Sequence, residues 1–151
     1  SALHYAVAES NVRLVQALIM RRAELNLQDQ EGRTPLYEAA SRNVANCLKL
    51  LINAGANINI TDNSDISPLA AAAAQNHEHS IDLLLDLLSM ILKAKPEAVR
   101  DIDEDGWTPL HWACRQKNSV DIIHILLDNG AEKNAATKRG WRPIDVAKYH
   151  G

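Results

Sequence analysis

Between Asp103 and Cys114 the chain reads DEDGWTPLHWAC, with carboxylates, a glycine, a histidine and a cysteine inside one short segment. Two chemistries fit those residue types. Asp101, Asp103 and Asp105 alternate before Gly106, as in the opening of an EF-hand calcium loop. The loop's last ligand should then be a bidentate Glu, but Trp112 stands there, and Thr108-Pro109 starts a helix where ligands are needed. His111 and Cys114 lie three apart, a helical spacing that could bring an imidazole near a thiol. A third candidate, His77-Glu78-His79, fails as a zinc motif because residues two apart on a helix point to different faces and no third ligand is evident. There is no glycine-rich phosphate loop and no convincing Ser/His/Asp set. The expectation is a protein that is not an enzyme, with no catalytic residue, no metal and no cofactor.

The surrounding elements must explain the segment instead. The 151 residues are 46% hydrophobic but include no Phe, and Ala is abundant, which points to thin helices in close contact. A net charge of −3 with scattered basic residues provides no field for a phosphate backbone, so no nucleic-acid partner is expected. Cys47 and Cys114 belong to no metal-ligand pair and fit a reducing compartment, so the expected location is intracellular, cytoplasmic or nuclear. The most apolar run, IDLLLDLLSMIL, is broken by Asp82 and Asp86 and is too short to span a bilayer. No signal-peptide pattern opens the chain, and no membrane insertion is expected. The missing initiator Met points to an excerpt of a longer chain.

A recurrent step aligns Leu3, Leu36, Leu69, Leu110 and Ile144, at spacings of 33, 33, 41 and 34 residues. Each step precedes an Ala-rich or apolar segment, and Ser10, Asn43 and Asn76 fall seven positions on. Thr34 and Thr108 suit a helix N-cap, with Pro35 and Pro109 at the first helical position. Asn43, Asn76 and Asn118 suit a left-handed turn between helices, and Gly55 and Gly130 end the second helix of a pair.

On these residues, GRTPLYEAASRNVANCLKLLINAGANINITD and GWTPLHWACRQKNSVDIIHILLDNGAEKNA resemble ankyrin repeats, and the resemblance covers the whole chain. It implies an all-α solenoid of stacked helix-turn-helix units with β-turn fingers, in which no repeat is stable alone. The expected organisation is a single domain over 1–151, with repeats near 1–31, 32–64, 65–105 and 106–139 and a partial one at 140–151. The first repeat lacks its finger and the last its second helix, as if cut from a longer array. The third repeat carries eight extra residues, and the fourth has one, near Lys117. A second helix running from about Glu78 to Lys95 would use the eight as roughly two turns before Pro96 stops it. Ile81, Leu84, Leu85, Leu88, Ile91 and Leu92 would face the stack. Leu83, Leu87 and Met90 form a second stripe, expected to pack against the neighbouring helix or the following loop, with an exposed interface as the alternative.

The resemblance also gives the chemical-looking residues structural roles. Asp103 becomes the turn-forming Asp of a finger, His4 and His111 become polar ties between fingers, His77 follows the inter-helix turn, and Cys114 replaces a core alanine. Binding in such proteins uses the concave face and finger tips, which implies Arg33, Arg42, Gln75, Trp107, Trp112, Arg115, Gln116, Arg139 and Trp141 as partner-binding residues. Gln30, Glu31, Ser41, Asn63, Ser64, Ile66, Ala74, Glu104, Asp105, Lys138, Tyr149 and His150 belong to the same wider surface. Ala70 to Ala74 would give the groove a shallow floor, between Arg42 and the pair Trp112 and Arg115. Trp107 and Trp141 both follow a turn glycine and are expected side by side on neighbouring fingers, within cation–π reach of Lys138, Arg139 and Arg142. Asp65, where the family favours glycine, should be strained. The implied function is protein or peptide binding, by a scaffold expected to be monomeric. The alternative is a structural spacer or regulatory array within a larger enzyme or channel.

Overall fold

Ser1, Thr34, Ser67 and Thr108 each accept, on the side-chain oxygen, the N–H three residues further on, at 3.4, 3.1, 3.2 and 3.4 Å. A helix follows each cap, and Pro35, Pro68 and Pro109 sit at its start, where a missing N–H leaves no bond unmade. In the computed structural model, which describes residues 1–75, 81–117 and 119–150, these starts open an inner row of helices. The row comprises α1 (Ala2–Ala8), α3 (Pro35–Ser41), α5 (Pro68–Ala73), α7 (Pro109–Cys114) and α9 (Pro143–His150). The outer row comprises α2 (Val12–Met20), α4 (Ala45–Asn53), α6 (Ile81–Ala94) and α8 (Val120–Asp128). No β-strand occurs among the described residues.

Inner helices pack each on the next, from α1 through α9, and the outer row does the same from α2 through α8. The core between the rows is aliphatic: Leu36, Leu69 and Leu110 meet Leu48, Leu51, Leu87, Leu88 and Leu126. Ala39, Ala40, Ala72, Ala73 and Ala113 are fully buried in the inner row, so small side chains let these helices approach closely. Ser10 and Asn43 turn the chain between paired helices at φ +51° and +57°. Arg22 ends α2 at φ +58°, at the position that Gly55 and Gly130 take after α4 and α8. Asn76, Asn118 and the His77-Glu78-His79 triplet lie outside the described residues.

The third repeat's extra residues lengthen the outer row. Helix α6 has 14 residues where α2, α4 and α8 have nine, and a 3-10 helix from Pro96 to Arg100 follows it. The proposed start at Glu78 lies outside the described residues. The Lys95 ammonium closes the excursion on the Asp101 carboxylate, at 2.7 and 2.9 Å to its two oxygens. The 3-10 helix folds back onto α6, where Leu87 is fully buried and Met90 half-buried against the core. The second apolar stripe is thus packed within the chain at these two residues. The side chains of residues 81–84 lie outside the described ones. No helix among the described residues is long and apolar enough to cross a membrane.

Candidate partner-binding surface

Four fingers project from the inner row, each opened by a residue whose side-chain oxygen gathers the turn's N–H groups. Asp29 Oδ1 accepts the amides of Glu31 and Arg33, Asp62 Oδ1 those of Ser64 and Ile66, and Asp103 Oδ1 those of Asp105 and Trp107. Thr137 does the same for Trp141 alone, at 3.1 Å. The residue before each finger's end has a left-handed backbone: Gly32 at φ +78°, Asp65 at +59°, Gly106 at +80° and Gly140 at +79°. At Gly32 there is a second constraint, because a Cβ would lie 2.4 Å from Asn63 Oδ1 and 2.8 Å from its backbone nitrogen. Asp65 bears the strain foreseen for it. The fingers join edge to edge by single backbone hydrogen bonds of 3.0 Å, from Asn63 to Glu31, Glu104 to Ser64 and Lys138 to Asp105.

Side chains at one repeated helix position add a second tie. His4 Nε2 meets the Arg33 carbonyl at 2.8 Å, and His111 Nε2 meets the Trp141 carbonyl at 3.0 Å. Tyr37, at the equivalent place, donates its hydroxyl to Asp62 at 2.8 Å. Its burial and that carboxylate push the phenol well above its ordinary pKa. A carbonyl cannot donate, so His111 carries its proton on Nε2, and Nδ1 accepts from Thr108. Burial holds the His111 pKa below its ordinary value, against the pull of the Trp141 carbonyl.

This geometry resolves the opening segment. Both His111 nitrogens are engaged away from Cys114, whose thiol pKa is raised by burial, so the pair does not form a nucleophile and base. Asp103 spends Oδ1 on two amides and Oδ2 on the Trp112 indole N–H at 3.0 Å, while Asp101 is held by Lys95. Both carboxylates are thus engaged by donors of the chain itself.

Two grooves lie between the fingers and the inner row of helices. The first, about 540 Å³, is lined by Gln30, Glu31, Arg33, Ser41, Asn63, Ser64, Ile66, Ala71, Ala74, Gln75 and Trp112, as well as Tyr37 and Asp62. Of the alanine floor foreseen over Ala70 to Ala74, Ala71 and Ala74 line this groove, while Ala70, Ala72 and Ala73 are buried and outside its lining. Arg33 is tightly held, facing Asp29 and Glu31 at 3.0 and 3.1 Å and Glu38 at 3.8 Å. Arg42 was expected on the rim, but it lies outside the lining and pairs with the buried Glu38 one helical turn back. Gln116 lines neither groove; its carbonyl accepts the Ser119 hydroxyl. Tyr37 and Asp62 were missed, although TPLY sets the tyrosine at the position that histidine takes in TPLH.

The second groove, about 450 Å³, gathers Asp105, Trp107, Trp112, Arg115, Thr137, Arg139, Trp141, Val146, Tyr149 and His150. Trp107 and Trp141 share this groove but do not form the expected ring pair. Trp107 packs on Trp112 at 5.0 Å between centroids, and Trp141 packs on Tyr149 at 5.5 Å, each within its own finger-helix unit. The cation on an indole is Arg115 over Trp112 at 5.7 Å, not the Lys138, Arg139 or Arg142 foreseen for Trp107 and Trp141.

Short helix pairs in two rows, with linked fingers along the inner row, define a helical-repeat solenoid. The ankyrin repeats family profile, in three copies, matches residues 3–90 and 55–137, and the chain belongs to that family. It is similar to an ankyrin repeat protein of Fowlpox virus (strain NVSL), 47% identical over 53 residues, covering 34% of this chain and 12% of that one. Neurogenic locus notch homolog protein 1 of Homo sapiens is 32% identical over 147 residues, covering 97% of this chain and 5% of that one. BCL-6 corepressor-like protein 1 of Homo sapiens is 37% identical over 62 residues, covering 41% of this chain and 3% of that one. The chain therefore spans no more than 12% of the length of these curated relatives. Proteins of the family are in general protein-interaction modules without catalytic activity.

Proposed function

We propose that this chain is one continuous ankyrin array that binds a partner protein or peptide across its concave face and finger tips. The observation that carries the reading is the chain of two grooves sharing Trp112, with an alanine floor on one side and aromatic rings on the other. Trp141 and Tyr149 are 38% and 73% exposed, which leaves large rigid rings available at the kind of place where binding energy concentrates. The working residues are Arg115, Arg139, Trp107, Trp112 and Trp141 in the second groove, with Gln75 and Ala74 in the first. Selecting binders from a peptide library on the immobilised chain tests this. Trp141→Ala and Ala74→Glu should between them abolish capture, whereas Lys49→Ala, an exposed change on an outer helix, should leave it intact. Captured peptides indifferent to both groove substitutions would refute the proposal.

A further inference from the structure

The second groove offers four ring faces, and an aromatic-lined recess by itself suits a cation. The charges argue for the opposite ligand. Arg115 already lies over Trp112, so the chain supplies the cation for that face itself. Arg139 lines the same groove, and Lys148 lines a cavity that continues it past Trp141 and Tyr149. Among the described residues, Arg115, Arg139 and Lys148 make no ion pair, whereas Arg33, Arg42 and Arg142 each do. Asp105, the carboxylate in the lining, pairs with none of them, and Asp145 in the adjoining cavity is held by Arg142. The first groove has no comparable surplus, because Arg33 faces three carboxylates. A guanidinium laid on an indole keeps its planar fork of N–H donors free at the edge, ready for a bidentate carboxylate.

We infer that the second groove takes an extended acidic peptide. An aromatic or branched apolar side chain of the peptide enters between the Trp107/Trp112 pair and the Trp141/Tyr149 pair, and a neighbouring Asp or Glu binds the Arg115 and Arg139 guanidiniums. The volume of about 450 Å³ lies within the range of pockets that enclose a ligand group of this size. This inference rests on the proposed partner-binding reading and narrows it to one groove and one charge.

The probe is a phage-displayed library of random peptides selected on the 151-residue chain. Enriched sequences should carry Asp or Glu beside Trp, Phe, Tyr, Leu or Ile. A synthetic peptide from that set should bind Arg115→Gln or Arg139→Gln about 30-fold more weakly than the parent chain, and added salt should weaken it further. Replacing the peptide's acid with its amide should cost as much, and should make it indifferent to Arg115→Gln. Both arginine side chains are exposed and make no hydrogen bond among the described residues, so the melting temperature of these variants should stay near the parent value, with Arg115→Gln losing only the exposed contact on Trp112. Basic or charge-indifferent peptides, or unchanged binding to the double arginine variant, would overturn the inference. If the selected peptides lose affinity only on Ala74→Glu, the first groove is the site: partner binding stands and the acidic-peptide inference fails. If nothing is enriched, both fail.

Discussion

Asp103 is 8% exposed, and its carboxylate is met by three N–H groups, from Asp105 at 3.0 Å, Trp107 at 2.8 Å and the Trp112 indole at 3.0 Å. In Asp103→Asn the amide oxygen can keep the two backbone donors, which sets the NH2 group against the indole N–H. The flipped amide is worse, since it opposes two donors instead of one. One charge-assisted bond is lost and the other two become neutral, so the expected cost is about 3 kcal/mol. At this chain length that lowers the melting temperature by roughly 6 to 12 °C. Trp112→Phe removes the same third bond from the other side and should cost about 2 kcal/mol, chiefly by leaving Oδ2 short of a donor. The double variant has no facing donors and loses that bond once, so it should be about 2 kcal/mol more stable than the sum of the two changes implies. Urea unfolding of the four proteins, read as midpoint and slope, measures the coupling. Additivity within about 0.5 kcal/mol would refute the assignment of Asp103 as the acceptor that fixes finger and indole together.

The depressed pKa of His111 means the unfolded chain takes up a proton first as the pH falls. Its contribution to stability should be fully present above about 6.5 and be lost as the pH drops from there towards the lower folded value, a slope that His111→Gln should remove. Leu87→Ala should cost about 2 to 5 kcal/mol in denaturant unfolding, and Leu87→Ser with Met90→Ser should lower stability without changing the elution volume in size-exclusion chromatography. Asp65→Gly, which relieves a φ of +59°, should stabilise by about 0.5 to 1 kcal/mol, whereas Gly32→Ala should destabilise because its Cβ meets Asn63. Native Cys47, fully buried with its thiol pKa raised by burial, should be alkylated far more slowly than in urea, and more slowly than half-buried Cys114, as mass spectrometry of labelled peptides can show.

What the sequence disclosed was local chemistry repeated at a fixed interval. Thr34-Pro35 and Thr108-Pro109 cap and start helices with groups a few residues away, so they could be read without knowing any long-range contact. The repeat then carried the surface over, and most of the first groove's lining follows from it. The missing features depend on rotation between a finger and its helix. Trp107 and Trp141 are equivalent by position, yet five residues on from Trp107 the first turn of α7 lifts Trp112 against its ring. No comparison of equivalent positions contains that contact. The Arg42–Glu38 pair was readable, because Glu38 stands four residues before Arg42 and helical pairs at that spacing meet. The packing of α6 against a 3-10 helix that follows Pro96 is likewise something no periodicity within α6 encodes.

Ala70 occupies the position at which His4, Tyr37 and His111 reach out to the following finger, and its methyl group reaches nothing polar. Between the second and third of the four fingers, the backbone bond from Glu104 to Ser64 therefore acts without a companion side chain from that position. In mechanical terms the strip of fingers is a row of springs in series, and among the described residues this joint is crossed by the fewest hydrogen bonds. A load along the array is expected to open it there before the joints on either side, which force spectroscopy with Ala70→His as the reinforced variant would check. Because Trp112 belongs to both grooves, a change of angle at that joint alters the width of the two together.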